Sequence, residues 1–182
     1  MTFLTRLLAA CLVLGSLAPP STAQRRDRDP LTDAEVDQMR EAADYPSKRL
    51  ELLVKFNRER MFNIESAAAE GPSKTKEVHD ILQDFIAIMD EIDDNIEMYG
   101  SHAADMRKGL KLVIEADSEW QLKLRQLKEK TPPEQLEQFS FILANANDTV
   151  ADNGKSARET LDEQNKLAAE KKLTKVYSER KD

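Results

Sequence analysis

The chain has 182 residues, 34% of them charged and 5% aromatic, with 5 Gly and 7 Pro; long amphipathic helices suit that profile better than sheet. The formal net charge of −7 argues against nucleic acid as a partner, and it disfavours anionic membrane surfaces. The single cysteine is Cys11, which places disulfides and cysteine-bound metal outside the expected chemistry once the N-terminus is removed.

That N-terminus, residues 1–23, has the layout of a secretory signal peptide. Arg6 precedes an apolar run from Leu7 to Ala18, and Pro19-Pro20 and the small residues Ser21 and Ala23 follow. Cleavage before Gln24 is expected, with the product periplasmic or secreted. The apolar run falls short of the ~20 residues that span a bilayer, so no membrane span is expected. Leu8-Ala-Ala-Cys11 resembles a lipobox, but the apolar run continues past Cys11, so the cysteine reads as part of the signal. Cleavage removes only one charge, Arg6, leaving 26 basic and 34 acidic residues.

Residues 24–32 are charged and nearly free of apolar side chains, a flexible leader. Thr32 or Asp33 then caps a short helix carrying Val36, Met39 and Ala43, which Tyr45-Pro46 ends. The first long helix runs from Pro46 to about Glu70, with Leu50, Leu53, Val54, Met61, Ile64 and Ala68 on one face and Gly71-Pro72 as its stop. The second opens at Ser73 and carries Val78, Ile81, Phe85, Ile88 and Ile92 to about Tyr99. Gly100 is expected to end it and Ser101 to cap the third. The third runs to about Lys130 on the seam Met106, Leu110, Val113, Asp117, Trp120, Leu124 and Leu127. Thr131-Pro-Pro-Glu134 reads as a stop and an immediate restart. The fourth continues through Leu136, Phe139, Leu143, Ala146 and Val150, weakened at Asn153-Gly154 because glycine costs about 1 kcal/mol against alanine. No segment alternates as a strand does. Short breaks between long helices predict an all-α, antiparallel up-down-up-down four-helix bundle over residues 33–176, with a short extra N-terminal helix and a disordered tail at 177–182.

Two groups of residues stand out. The second long helix carries Asp80, Asp84, Asp90, Glu91, Asp93, Asp94 and Glu97, a candidate face for a basic protein partner. Asp117 breaks the apolar seam of the third, and a buried carboxylate needs partners. Equal helical rises from each expected turn put Gln83 and Asn145 at its depth; the three form a candidate internal polar site, either a register device or a pocket for a small ligand or cation, unless the helix is slightly rotated and Asp117 stands at its edge in water. Asn57, Asn95 and Asn153 also fall near seam positions.

Other chemistry finds no motif. His79 and His102 lack the Glu-x-x-His and H-E-x-x-H spacings of metal bundles and proteases, and "DEIDDN" lacks the glycine and spacing of a calcium loop. No nucleophile elbow or phosphate loop is present. Neither enzyme activity nor any cofactor or metal is expected. Leu31–Glu41, "LTDAEVDQMRE", resembles the L-T-x-x-Q motif of small periplasmic ATP-independent chaperones, with Glu35 in place of glutamine; "TPPEQLEQ" from Thr131 is a second copy without the leading leucine. Those chaperones are commonly basic on their concave face, whereas this chain is acidic. The leading expectation is a non-enzymatic interaction or scaffold module, homodimeric if a second copy closes an open seam; the alternatives are a periplasmic chaperone-like stress protein and a bundle with an internal small-ligand or metal site around Asp117.

Overall fold

Thr32 fixes where the first helix starts. Its Oγ1 accepts from the Glu35 N–H at 3.3 Å, and the Glu35 carboxylate accepts from the Thr32 N–H at 2.7 Å, satisfying two N–H groups that a bare helix end leaves orphaned. The structure, a computed structural model, describes residues 29–102 and 104–170. The expected signal peptide, most of the leader and the tail lie outside the described residues. Within them the chain is all-α, with no strand.

Helix α1 spans Asp33–Glu41, α2 Pro46–Ala69 and α3 Thr75–Ser101. Proline opens α2, where its missing N–H costs nothing, and Gly71 turns the chain with φ 94°. A 3₁₀ turn at Pro72–Lys74 leads into α3. Helix α4 spans Arg107–Lys130, α5 Pro133–Leu136 and α6 Ser140–Ala169.

Two breaks differ from expectation. Helix α3 continues through Gly100, and the Ser101 hydroxyl donates to its own helix at Met98 O instead of capping the next, so α4 begins only at Arg107. Thr131 likewise turns back, donating to Leu127 O at 2.7 Å. It sits in extended backbone, as the residue before proline prefers. The restart is then a single turn, α5, whose buried Gln135 donates to Gly71 O, and the last long helix starts at Ser140.

Helix α2 packs against α3 and α4, and α6 packs against the same two. Arg49 Nε donates to Asn95 Oδ1 at 2.6 Å and Asn57 Nδ2 to Phe85 O at 3.2 Å, so α2 and α3 run in opposite directions. Gln164 with Met106, and Arg158 with Asp117, show the same for α4 and α6. The Arg58–Glu119 and Lys123–Glu65 pairs show α2 and α4 running the same way. Helices α3 and α4 follow one another in sequence but are not among these main packing pairs. The expectation that each helix lies beside the next therefore fails there. The rings of Phe85 and Trp120 meet edge to face across the core, centroids 5.6 Å apart, a favoured aromatic geometry.

The link from α3 to α4 is held by one side chain. Gln164 on α6 is buried; its Nε2 donates to Ala104 O at 2.7 Å, and its Oε1 accepts from the Met106 N–H at 2.9 Å. Both backbone groups would otherwise be buried without partners. Gln164→Leu is expected to lower the unfolding free energy by about 2–4 kcal/mol, since two buried groups lose their partner at ~1–3 kcal/mol each with partial relaxation; urea denaturation checks it.

Helix α1 is pinned just as specifically. Glu35 is buried, and Arg60 of α2 grips both its oxygens at 2.9 and 2.6 Å while also donating to Pro30 O. Burial alone would raise the Glu35 pKa, but Arg60 and the Thr32 N–H and hydroxyl together hold it below the usual carboxylate value. A folded-state pKa below the unfolded one means that this contribution is present above the unfolded value and lost as pH falls through the folded one. Glu35→Gln is expected to cost about 2–4 kcal/mol near neutral pH, because it leaves a buried guanidinium without its counter-charge. The loss should shrink as acid protonates the wild-type carboxyl, which thermal melts between pH 7 and 3 would show.

Candidate functional site

Asp117 is buried, its side chain 1% exposed. Gln121, one turn along α4, donates to Oδ1 at 3.0 Å, and Arg158 of α6 donates to Oδ2 at 2.5 Å. The carboxylate lies directly on Gly154: a Cβ there would come within 2.4 Å of the Asp117 Cγ. Gly154 and Arg158 are four apart and so share one helix face. Glycine makes the space on α6, and one turn later arginine supplies the counter-charge. The acid on the apolar seam therefore locks α4 to α6, with each of its oxygens accepting a hydrogen bond from a protein group.

The expected partners are elsewhere. Asn145 is exposed on α6, and Gln83 is half-buried on α3. The physical reason is register. The nine residues 131–139 go into α5 and its exit instead of the first turns of the last long helix, so the residue at the depth of Asp117 moves from Asn145 to Gly154. The sequence signal that could have found the site was glycine and arginine at i, i+4 on the helix opposite a seam acid.

The seam asparagines are buried as expected. Asn95 accepts from Arg49 and donates to Glu91 O; Asn153 donates to Thr149 O. Asn57 Oδ1, Asn153 Oδ1 and Trp120 Nε1 are buried with no hydrogen-bond partner among the described residues.

The acidic face of α3 divides in two. Asp84 is buried. Asp80 bonds Lys76 at 2.5 Å, and that ammonium holds its carboxyl below the usual range. Glu91 turns toward Arg49 and Asn95 at 3.5 and 3.0 Å. Asp90, Asp93, Asp94 and Glu97 are exposed, and the last three form no ion pair among the described residues. His79 lies 3.5 Å from Asp80, and His102 Nδ1 lies 2.6 Å from Met98 O. Among the described residues no group of three or more His, Asp or Glu is placed to hold a metal, and no helix is long and apolar enough to cross a membrane. The chain matches no known family model, no curated protein and no solved structure.

A contact this close yields a paired test. Gly154→Ala should lower stability by about 1–3 kcal/mol, as overpacking does, although alanine is worth about 1 kcal/mol more than glycine in an open helix. Adding Asp117→Ala should make the Gly154→Ala step neutral or stabilising, since the clashing carboxylate is gone. A double-mutant cycle in urea checks the coupling.

Proposed function

We propose that α2, α3, α4 and α6 form a four-helix bundle, antiparallel within the pairs α2–α3 and α4–α6, that serves as an exported, non-enzymatic interaction or scaffold module, and that it docks a basic protein through the outer face of α3. The observation that carries this reading is the division of the α3 acids. Asp80, Asp84 and Glu91 are taken up by burial or by neighbouring side chains, whereas Asp93, Asp94 and Glu97 stand together at the surface with no ion pair among the described residues. Like charges within one turn and a half repel one another, and a cationic surface relieves that repulsion. Asp117 needs no ligand under this reading, because Arg158 and Gln121 already complete it.

The test is binding of a labelled oligolysine peptide at low salt, followed by anisotropy. Asp93→Lys, Asp94→Lys and Glu97→Lys together should weaken binding by about tenfold or more, or roughly 1.4 kcal/mol, with an unchanged melting temperature. Equal binding by the folded triple variant would sink the reading. Export has its own check: the mass of the protein from the exported fraction should correspond to a chain beginning at Gln24.

One observation favours a chaperone-like alternative. Phe141 is 85% and Phe62 67% exposed, and large exposed apolar groups are common at surfaces that take partners. Under that reading the protein suppresses aggregation of an unfolded client without ATP, and Phe62→Ser with Phe141→Ser loses the effect.

A further inference from the structure

Asn57, Trp120 and Asn153 are 0%, 0% and 3% exposed, and Asn57 Oδ1, Trp120 Nε1 and Asn153 Oδ1 have no hydrogen-bond partner among the described residues. They come from three helices, α2, α4 and α6, yet they share one layer of the core. The Arg58–Glu119 and Lys123–Glu65 pairs set Asn57 level with the turn of α4 that precedes Trp120. Asp117 lies on Gly154, and α4 and α6 run in opposite directions, so the step from Asp117 on to Trp120 leads back along α6 from Gly154 toward Val150. The Asn153 amide reaches back over that same turn, since its Nδ2 donates to Thr149 O at 3.2 Å. The three groups thus fall within about one helical turn in depth, ~5.4 Å. Phe85 of α3 joins them: Asn57 Nδ2 donates to its C=O, and its ring meets that of Trp120 edge to face.

The bond made by one end of each amide fixes which end is left over. Turning either asparagine over would set its oxygen against the carbonyl of Phe85 or Thr149, so Oδ1 is the unmatched end in both. These oxygens only accept, and the indole N–H only donates. The asparagine oxygens therefore cannot satisfy each other, and a bond from Trp120 to one of them leaves the other unpaired. Asp117 is itself an acceptor, and its oxygens already take Gln121 and Arg158. Two acceptors and one donor are the complement of a single water molecule, and buried waters typically make about three hydrogen bonds. Leaving all three groups unmatched would cost more than immobilising that water. We propose that the bundle core binds an internal water that accepts from Trp120 Nε1 and donates to Asn57 Oδ1 and Asn153 Oδ1. Helices α2 and α6 are not among the main packing pairs, and the water gives them a polar link across the core beside the Asp117 lock. The site is independent of the docking surface on α3.

The chain has one tryptophan, so its indole N–H gives a single NMR signal and a direct test. In isotope-labelled protein that proton should show a rotating-frame dipolar cross-peak to water, opposite in sign to chemical exchange, while it exchanges only slowly in deuterated water. A high-resolution crystal structure should place a water about 2.7–3.2 Å from all three atoms. Asn57→Leu with Asn153→Leu removes both acceptors and puts apolar groups on an apolar seam; the water cross-peak should be lost while the indole signal remains that of a folded protein. Trp120→Phe keeps a ring against Phe85 and removes the donor, and its crystal structure should lack the water. A wild-type indole proton with no water cross-peak overturns the proposal, and that measurement stands even if the double variant does not fold. A crystal structure in which the indole bonds an asparagine oxygen directly, or in which the layer is dry, also overturns it. So does a cross-peak that survives in the folded double variant, because water would then reach the indole without the asparagines.

Discussion

The arrangement of the long helices depends on one close contact, the Asp117 carboxylate lying on the bare backbone of α6 at Gly154. Apolar stripes can slide by a turn along one another at little cost, since burial is non-directional. A buried charge cannot slide, because leaving its partner exposes the full cost of an unpaired ion. Arg158 and Gly154 therefore define one depth at which α4 and α6 can meet. The glycine that weakens α6 as an isolated helix is what allows this register.

Two further polar side chains act in the same way at the periphery. Arg60 closes on Glu35 to seat α1 on α2, and Gln164 holds the link that carries the chain from α3 to α4. In each case the apolar core supplies the driving force and a polar group of fixed geometry selects the position. Glu35 has two roles, since the carboxylate that completes the Thr32 capping box is also the one that Arg60 grips. Glutamine at that position could still complete the box, but it could not neutralise the guanidinium, which gives Glu35 a physical reason for standing where the resembling chaperone motif has glutamine.

The packing pairs also decide how charge is distributed. Because α3 and α4 occupy opposite corners, the acidic excess of one and the basic excess of the other do not cancel through space. The molecule has a strong electrical polarity that its modest net charge hides, and the docking reading of α3 draws on that polarity.

The sequence by itself determined the helices and their apolar faces, because periodicity, prolines and caps are local: Thr32 with Glu35, Pro46 and the α2–α3 break can all be read within a few residues. The place of Asp117 on the apolar seam was legible too, but not whether that seam position lies inside the core or at its edge. Tertiary structure alone decided what Asp117 meets. The one-turn helix α5, whose Gln135 donates to Gly71 O in the α2–α3 turn, shifts the register of α6 by nine residues. Likewise, no local pattern says which of four similar helices will be neighbours. That choice rests on contacts between residues such as Gln164 and Met106, 58 positions apart, and with it went the separation of the acidic and basic helices.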